Sequence, residues 1–182
     1  MKTPNVLLAV GILAVVLVGC ANRTIAPRSE LPSVSSRTAI TTAAPLPGDQ
    51  IAAHSFIDKE QGWAVGTDGD NGSLVQRTTD GGRTWEVLYA DGAGFPLTDV
   101  CFTDEIHGWA VSSSGTLVGS IIATVDGGRT WVEQGGAGPL ESVDFTDALH
   151  GVVRGLDGDS PQRPITLTTN DGGKTWVARN SK

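Results

Sequence analysis

The chain has 182 residues, 20 of them acidic and 13 basic, for a formal net charge of −7. From residue 51 onward nine Lys and Arg stand against eighteen Asp and Glu, a balance that excludes nucleic acid as an expected partner. No catalytic constellation stands out, so neither cofactor nor metal is expected, and the chain reads as a repeat-built binding protein.

Residues 1–20 have the pattern of a secretory leader: Lys2 is a one-charge start, and 6–18 is almost continuously apolar. That stretch is shorter than the roughly 20 apolar residues that a bilayer core requires. Leu17, Val18, Gly19 and Cys20 resemble the lipobox at which bacterial lipoproteins are cleaved and lipidated, and the resemblance makes Cys20 the lipid attachment site. An ordinary leader or a short signal anchor in which Cys20 is incidental is the alternative. Lipidation leaves Cys101 as the remaining thiol, so no intramolecular disulfide supports the fold.

Residues 21–50 are rich in Ala, Thr, Ser and Pro, with Pro27, Pro32, Pro45 and Pro47 dispersed through them. This composition predicts a flexible tether. About 30 residues of such coil reach roughly 30 Å, enough to lift a folded domain clear of the headgroups.

Residues 51–182 are predicted to form three repeats, about 51–92, 93–138 and 139–182. Thr78, Asp80, Gly82, Thr84 and Trp85 return as Thr124, Asp126, Gly128, Thr130 and Trp131, then as Thr169, Asp171, Gly173, Thr175 and Trp176. The three aspartates are 46 and 45 residues apart, a propeller-blade period. Upstream of each, Phe56, Phe102 and Phe145 open a Phe-x-Asp that leads to Gly62-Trp63, Gly108-Trp109 and Gly151-Val152. Four short strands per unit follow. The first ends at Phe-x-Asp, the second begins at the Gly, the third runs into the repeated turn and the fourth begins at its Trp. Val100 and Phe102 alternate with Asp99, Cys101 and Thr103, as in half-buried antiparallel strands.

Asp followed by two glycines predicts a tight hairpin, because glycine supplies positive φ without a Cβ clash. The Asp carboxylate and the leading Thr hydroxyl are expected to bond the turn's own backbone. The closing Trp is expected to fill the space between sheets, burying roughly 150 to 250 Å².

Thr-x-Asp-x-Gly-x-Thr-Trp, three times over, resembles the Asp-box of the bacterial neuraminidase repeat families. The resemblance implies a β-propeller in which the boxes are structural and lie away from the functional face. A catalytic or calcium-binding role for Asp80, Asp126 and Asp171 is the alternative, weakened because turn carboxylates are normally satisfied by backbone donors. Taken together, Phe-x-Asp, Gly-Trp-Ala-Val and Asp-Gly-Gly-x-Thr-Trp resemble the propeller family of photosystem II assembly and stability factors more closely than they resemble sialidases.

Closed propellers have 4 to 8 blades, and a three-unit array leaves two end faces uncapped. A second copy completing a six-bladed ring, a partner protein supplying the remainder, and a stable three-bladed unit are the open possibilities. A sialidase needs an arginine cluster and an activated tyrosine, whereas this chain has one tyrosine, Tyr89, and no recognisable arginine set. A sialidase-like carbohydrate-active or glycan-binding protein is therefore the alternative function. His107 and His150 precede the repeat glycines and read as polar turn residues, and His54 as a variant packing position. The loops at 68–72 and 157–159 are acidic but depart from calcium-loop spacing. Arg154 stands where the first two units have Val65 and Val111: it either meets an acidic partner from the inner channel or pairs at an edge with Asp147 or Asp157.

The expected protein is an all-β, non-enzymatic, lipid-anchored binding module on the outer side of a bacterial membrane or in the envelope. Its expected partners are membrane-associated proteins, and the family resemblance implies assembly or stabilisation of a membrane complex.

Overall fold

In the computed structural model the described residues are 24–25, 41–42, 50–67, 72–91, 95–115, 118–159 and 162–180. Cys20 and the leader, nearly all of the tether, and residues 68–71 of the first acidic loop lie outside them. Twelve strands form three antiparallel sheets of four. β3 (Ile51–Phe56), β4 (Gly62–Thr67), β5 (Ser73–Thr78) and β6 (Trp85–Asp91) make the first blade. β7 (Leu97–Phe102), β8 (Gly108–Ser112), β9 (Gly119–Thr124) and β10 (Val132–Ala137) make the second. β11 (Leu140–Phe145), β12 (Gly151–Leu156), β13 (Pro164–Thr169) and β14 (Trp176–Asn180) make the third. The all-β blade architecture is the one expected from the repeats. Two dipeptides upstream, β1 (Thr24–Ile25) and β2 (Thr41–Thr42), pair along the outer strands β14 and β6, opposite Trp176 and Trp85 respectively.

Each blade is a meander because each connection is a short turn that closes on itself. The first strand of every blade carries a register shift, between Ile51 and Ala53, Leu97 and Asp99, and Leu140 and Ser142. Such a bulge sharpens the local twist. Inner strands β3, β7 and β11 lie side by side, each against the next, so blades stack face to face.

Stacking corrects the picture of half-buried strands, because the middle blade is covered on both faces. Its forward face places Trp109, Val111, Ile121 and Ala123 in one core with Val143, Phe145, Leu167 and Trp176 of the third blade. Its rear face places Val100, Phe102 and Ala110 in another with Trp63, Val65 and Val75 of the first. The polar residues of β7 serve the same junction: Val143 N–H donates to Asp99 Oδ2 at 2.9 Å, and Phe145 N–H to Cys101 Sγ at 3.3 Å. Ser55 accepts from Phe102 N–H at 3.0 Å between the first two blades.

Trp109 is 2% exposed and stacks on Phe145, whereas Val152, its counterpart in the third blade, is half-buried. Trp109→Ala is expected to cost about 3 to 5 kcal/mol, the range for a core tryptophan, and Val152→Ala under about 1 kcal/mol. Urea unfolding of the two variants checks this, and equal losses would contradict face-to-face stacking.

Candidate functional site

Three near-identical turns join the third and fourth strands of the blades. In the middle copy Thr124 Oγ1 donates to Asp126 Oδ1 at 2.8 Å and accepts from Gly128 N–H at 3.0 Å. Asp126 Oδ1 accepts from Thr130 N–H at 2.9 Å, and Oδ2 from the Thr130 hydroxyl. Asp80 and Asp171 repeat the pattern with Thr78, Thr84, Thr169 and Thr175. Gly127 and Gly128 have φ of 75° and 91°, values that a residue with a Cβ reaches only under strain. Every oxygen of the carboxylate is thus engaged within the turn.

This geometry is electrostatic as well as steric. Hydrogen bonds to the ionised form, first from Thr84 N–H and then from its hydroxyl, lower the Asp80 pKa to about 2. Burial works to raise Asp126 and Asp171, yet the Thr130 and Thr175 donors leave both below the ordinary carboxylate value. Groups held ionised this way are not proton donors near neutral pH.

A second repeated turn, between the first and second strands, was legible only as the Phe-x-Asp signature. Asp104 Oδ1 caps it, accepting from Ile106 N–H at 2.9 Å and His107 N–H at 2.8 Å. Asp58 and Asp147 do the same at Glu60, Gln61, Leu149 and His150. His107 and His150 hold their Nδ1 atoms against these aspartates at 2.7 and 2.9 Å, which places both rings in the turns.

Arg154 is on β12, the second strand of its blade, one strand out from the inner rim. Its Nη1 donates to Asp144 Oδ2 at 2.7 Å, and the two side chains are 54% and 69% exposed. The partner is Asp144, diagonal to Arg154 on the neighbouring strand, since Arg154 stands opposite Ser142 and Asp144 opposite Val152; it is not Asp147 or Asp157. Asp157 instead caps its own loop, accepting from Asp159 and Arg163 N–H.

The forward face of the third blade is therefore polar. Ser142, Asp144, Val152, Arg154, Thr166 and Thr168 occupy the places that Asp99, Cys101, Trp109, Val111, Ile121 and Ala123 occupy in the second. At the other end, the rear face of the first blade is apolar and partly open, with Phe56 42% exposed. Phe102 and Phe145, its counterparts in the other blades, are buried at 5% and 8% exposure.

Tyr89 is half-buried and bonds Asp91 Oδ2 at 3.3 Å; burial first, and then the Asp91 charge, push its pKa up to about 12. A tyrosine held protonated is the opposite of an activated nucleophile. Burial likewise raises Cys101, which suppresses thiolate chemistry. Among the described residues no group of three or more His, Cys, Asp and Glu could hold a metal ion.

Among solved structures the fold is similar to that of "YCF48 bound to D1 peptide", at 26% identity and a TM-score of 0.56, covering 85% of this chain and 46% of that one. It is also similar to YCF48 from Cyanidioschyzon merolae, at 23% identity and a TM-score of 0.54, covering 78% and 43% of the two chains. The chain thus spans less than half the length of these neighbours. No protein-family model and no curated protein matches it.

The turn carboxylates set an acid limit. Their pKa values are lowered on folding, so ionised turns contribute stability that is complete above the unfolded value near 3.8 and lost as pH falls toward about 2. Unfolding midpoints are expected to be flat from about pH 7 to 5 and to fall steeply between about 4 and 2. Asp126→Asn is expected to cost about 1 to 2 kcal/mol at neutral pH and to make the acid loss shallower; an unchanged acid slope would contradict the assignment.

Proposed function

We propose that the chain is a non-enzymatic protein-binding module, tethered to the outer side of a bacterial membrane through lipidated Cys20, that serves the assembly or stabilisation of a membrane protein complex. The observation that carries this reading is the likeness over most of the chain to a blade array solved with a bound peptide. Peptide recognition of that kind needs no titratable machinery, only a preformed surface and backbone groups to meet. The blades of this chain are suited to it: six of their aspartates are consumed by their own turns and their tyrosine is held protonated.

Charge supports a membrane-proximal binder rather than a lipid-binding one. The blade region is strongly acidic, so it is repelled by anionic headgroups and stands off at the reach of its tether. The anchor concentrates the module beside membrane proteins, where even modest affinity is amplified by effective concentration. The photosystem II type of complex is the form of this reading that the repeat signature and the neighbour's D1 peptide both favour.

Arg154 is the cation we assign to recognition of an acidic segment. It is exposed, and its pair with Asp144 is a surface pair whose contribution to stability is about 0 to 1 kcal/mol. Arg154→Ala is expected to lower capture of the native membrane partner several-fold while shifting thermal unfolding by no more than about 2 °C. The measurement is quantitative pull-down from gently solubilised membranes alongside calorimetry. Undiminished capture, or no retention of any membrane protein by the wild-type chain, would overturn the reading, and Cys20→Ala is expected to release the chain from membranes.

A further inference from the structure

Both internal interfaces obey one rule. A tryptophan from the second strand of one blade lies flat on the phenylalanine that ends the inner strand of the next. Trp63 stacks on Phe102 with centroids 3.8 Å apart and planes 5° from parallel, and Trp109 on Phe145 at 3.6 Å and 6°. The indole Nε1–H then reaches past the ring to the turn: Trp63 donates to the Gly127 carbonyl at 2.8 Å and Trp109 to the Gly172 carbonyl at 3.0 Å. Each phenylalanine is held ready from behind. A Cβ at Gly108 or Gly151 would stand only 2.5 or 2.3 Å from the ring, and Trp131 or Trp176 meets its edge at 6.1 or 6.0 Å.

The first blade carries this receptor complete except for its tryptophan. Phe56 lies over Gly62, where a Cβ would be 2.5 Å away, and meets Trp85 edge-on at 6.2 Å. Gly81 N–H donates to the Glu60 carbonyl at 2.8 Å, as Gly127 does to Ile106 and Gly172 to Leu149, so the Gly81 carbonyl is set as in the other two turns. Among the described residues it accepts no hydrogen bond.

A cavity of about 250 Å³ on this face is lined by Ile51, His54, Phe56, Ala64, Gln76 and Trp85. Gln76 is fully buried, and neither its Oε1 nor its Nε2 has a partner. The equivalent residues of the other blades are Ile122 and Leu167, so the amide serves no requirement of the blade itself. A buried amide without a partner is costly, and on a receiving face it reads as a group reserved for an incoming one.

We propose that the rear face of the first blade docks a Trp-bearing β-strand of another protein, the indole stacking on Phe56 and donating to the Gly81 carbonyl while a polar group of the strand meets Gln76. This deepens the protein-binding reading above and rests on it. A second copy of the chain does not fit. The face its third blade would offer has Val152 in place of the tryptophan and the exposed Arg154–Asp144 pair beside it. Pressing Phe56 onto that face would desolvate two charges without supplying an indole.

Two measurements on the full chain in detergent micelles test the proposal. Titration with N-acetyl-tryptophanamide, followed by amide nuclear magnetic resonance, is expected to shift the Gln76 side-chain amide and the Gly81 and Gly82 backbone signals saturably. N-acetyl-leucinamide, and the tryptophanamide methylated at the indole nitrogen, are expected to bind at least about fivefold more weakly, since each lacks the stack or the donor. Phe56→Ala is expected to abolish the response, and Gln76→Ile, which installs the residue type of the second blade, to retain indole binding in a stable fold. Equal response to the leucine and tryptophan amides, or none at Gln76, would overturn the proposal.

In native membranes a benzophenone amino acid at position 54 is expected to cross-link to a Trp-bearing strand of a different polypeptide, and Phe56→Ala to reduce the yield at least about fivefold. Cross-linking to a second copy or to residues 1–49 of the same chain, or no cross-link, would refute the assignment. A membrane partner retained equally by wild type and Phe56→Ala would leave the protein-binding reading standing and sink this face alone.

Discussion

The stability of this molecule depends on an indole laid flat on a phenyl ring between blades. Each of the two stacks joins sheets that share no ladder hydrogen bonds, and each is locked in register by an indole N–H that reaches a turn carbonyl. Dispersion and area burial supply the attraction, while the hydrogen bond supplies direction. Because the acceptor belongs to the repeated turn, the turn must hold its shape before the blades can close on one another. That requirement explains why the most constrained local chemistry in the chain sits at the edge of its sheets, far from the inner strands.

The turn holds its shape by consuming its own polar groups. A carboxylate that receives a backbone N–H and two hydroxyls, within seven residues of sequence, has little left to offer a ligand. The second turn, capped by Asp58, Asp104 and Asp147, spends its carboxylates in the same way. Six aspartates of an acidic chain are therefore scaffold. The charge that remains for recognition is on strand faces, where the exposed Arg154–Asp144 pair stands at the end of the array.

Much of this was legible because the repeat is written in residues with narrow uses. Asp-Gly-Gly with flanking threonines has few local conformations open to it, and a Trp or Phe returning every 43 to 46 residues places itself between like surfaces. Strand order and the hairpin turns followed from those residues alone. What stayed hidden was the identity of neighbours across the blade junction. Cys101 aligns with Ser55 and Asp144 and reads as a residue of a polar face, yet the next blade covers that face, and the thiol accepts a backbone N–H from Phe145. Arg154 was visible as a departure from the repeat, but its partner was fixed by cross-strand geometry rather than by sequence distance. Gln76 carries no signal in the sequence, since a glutamine in a strand is ordinary until burial strips it of partners.

The two ends of the array differ in kind, and that difference gives the molecule a polarity. Repeat arrays survive in solution when a terminal repeat turns a polar face outward. The third blade does this, replacing Trp, Val, Ile and Ala with Val, Arg, Thr and Thr at matching places. The first blade does not: it keeps the phenylalanine, the glycine behind it and the turn carbonyl, and adds a buried amide. Capping one end while preserving the receptor at the other directs growth of the array to one side, toward a surface that carries the missing indole.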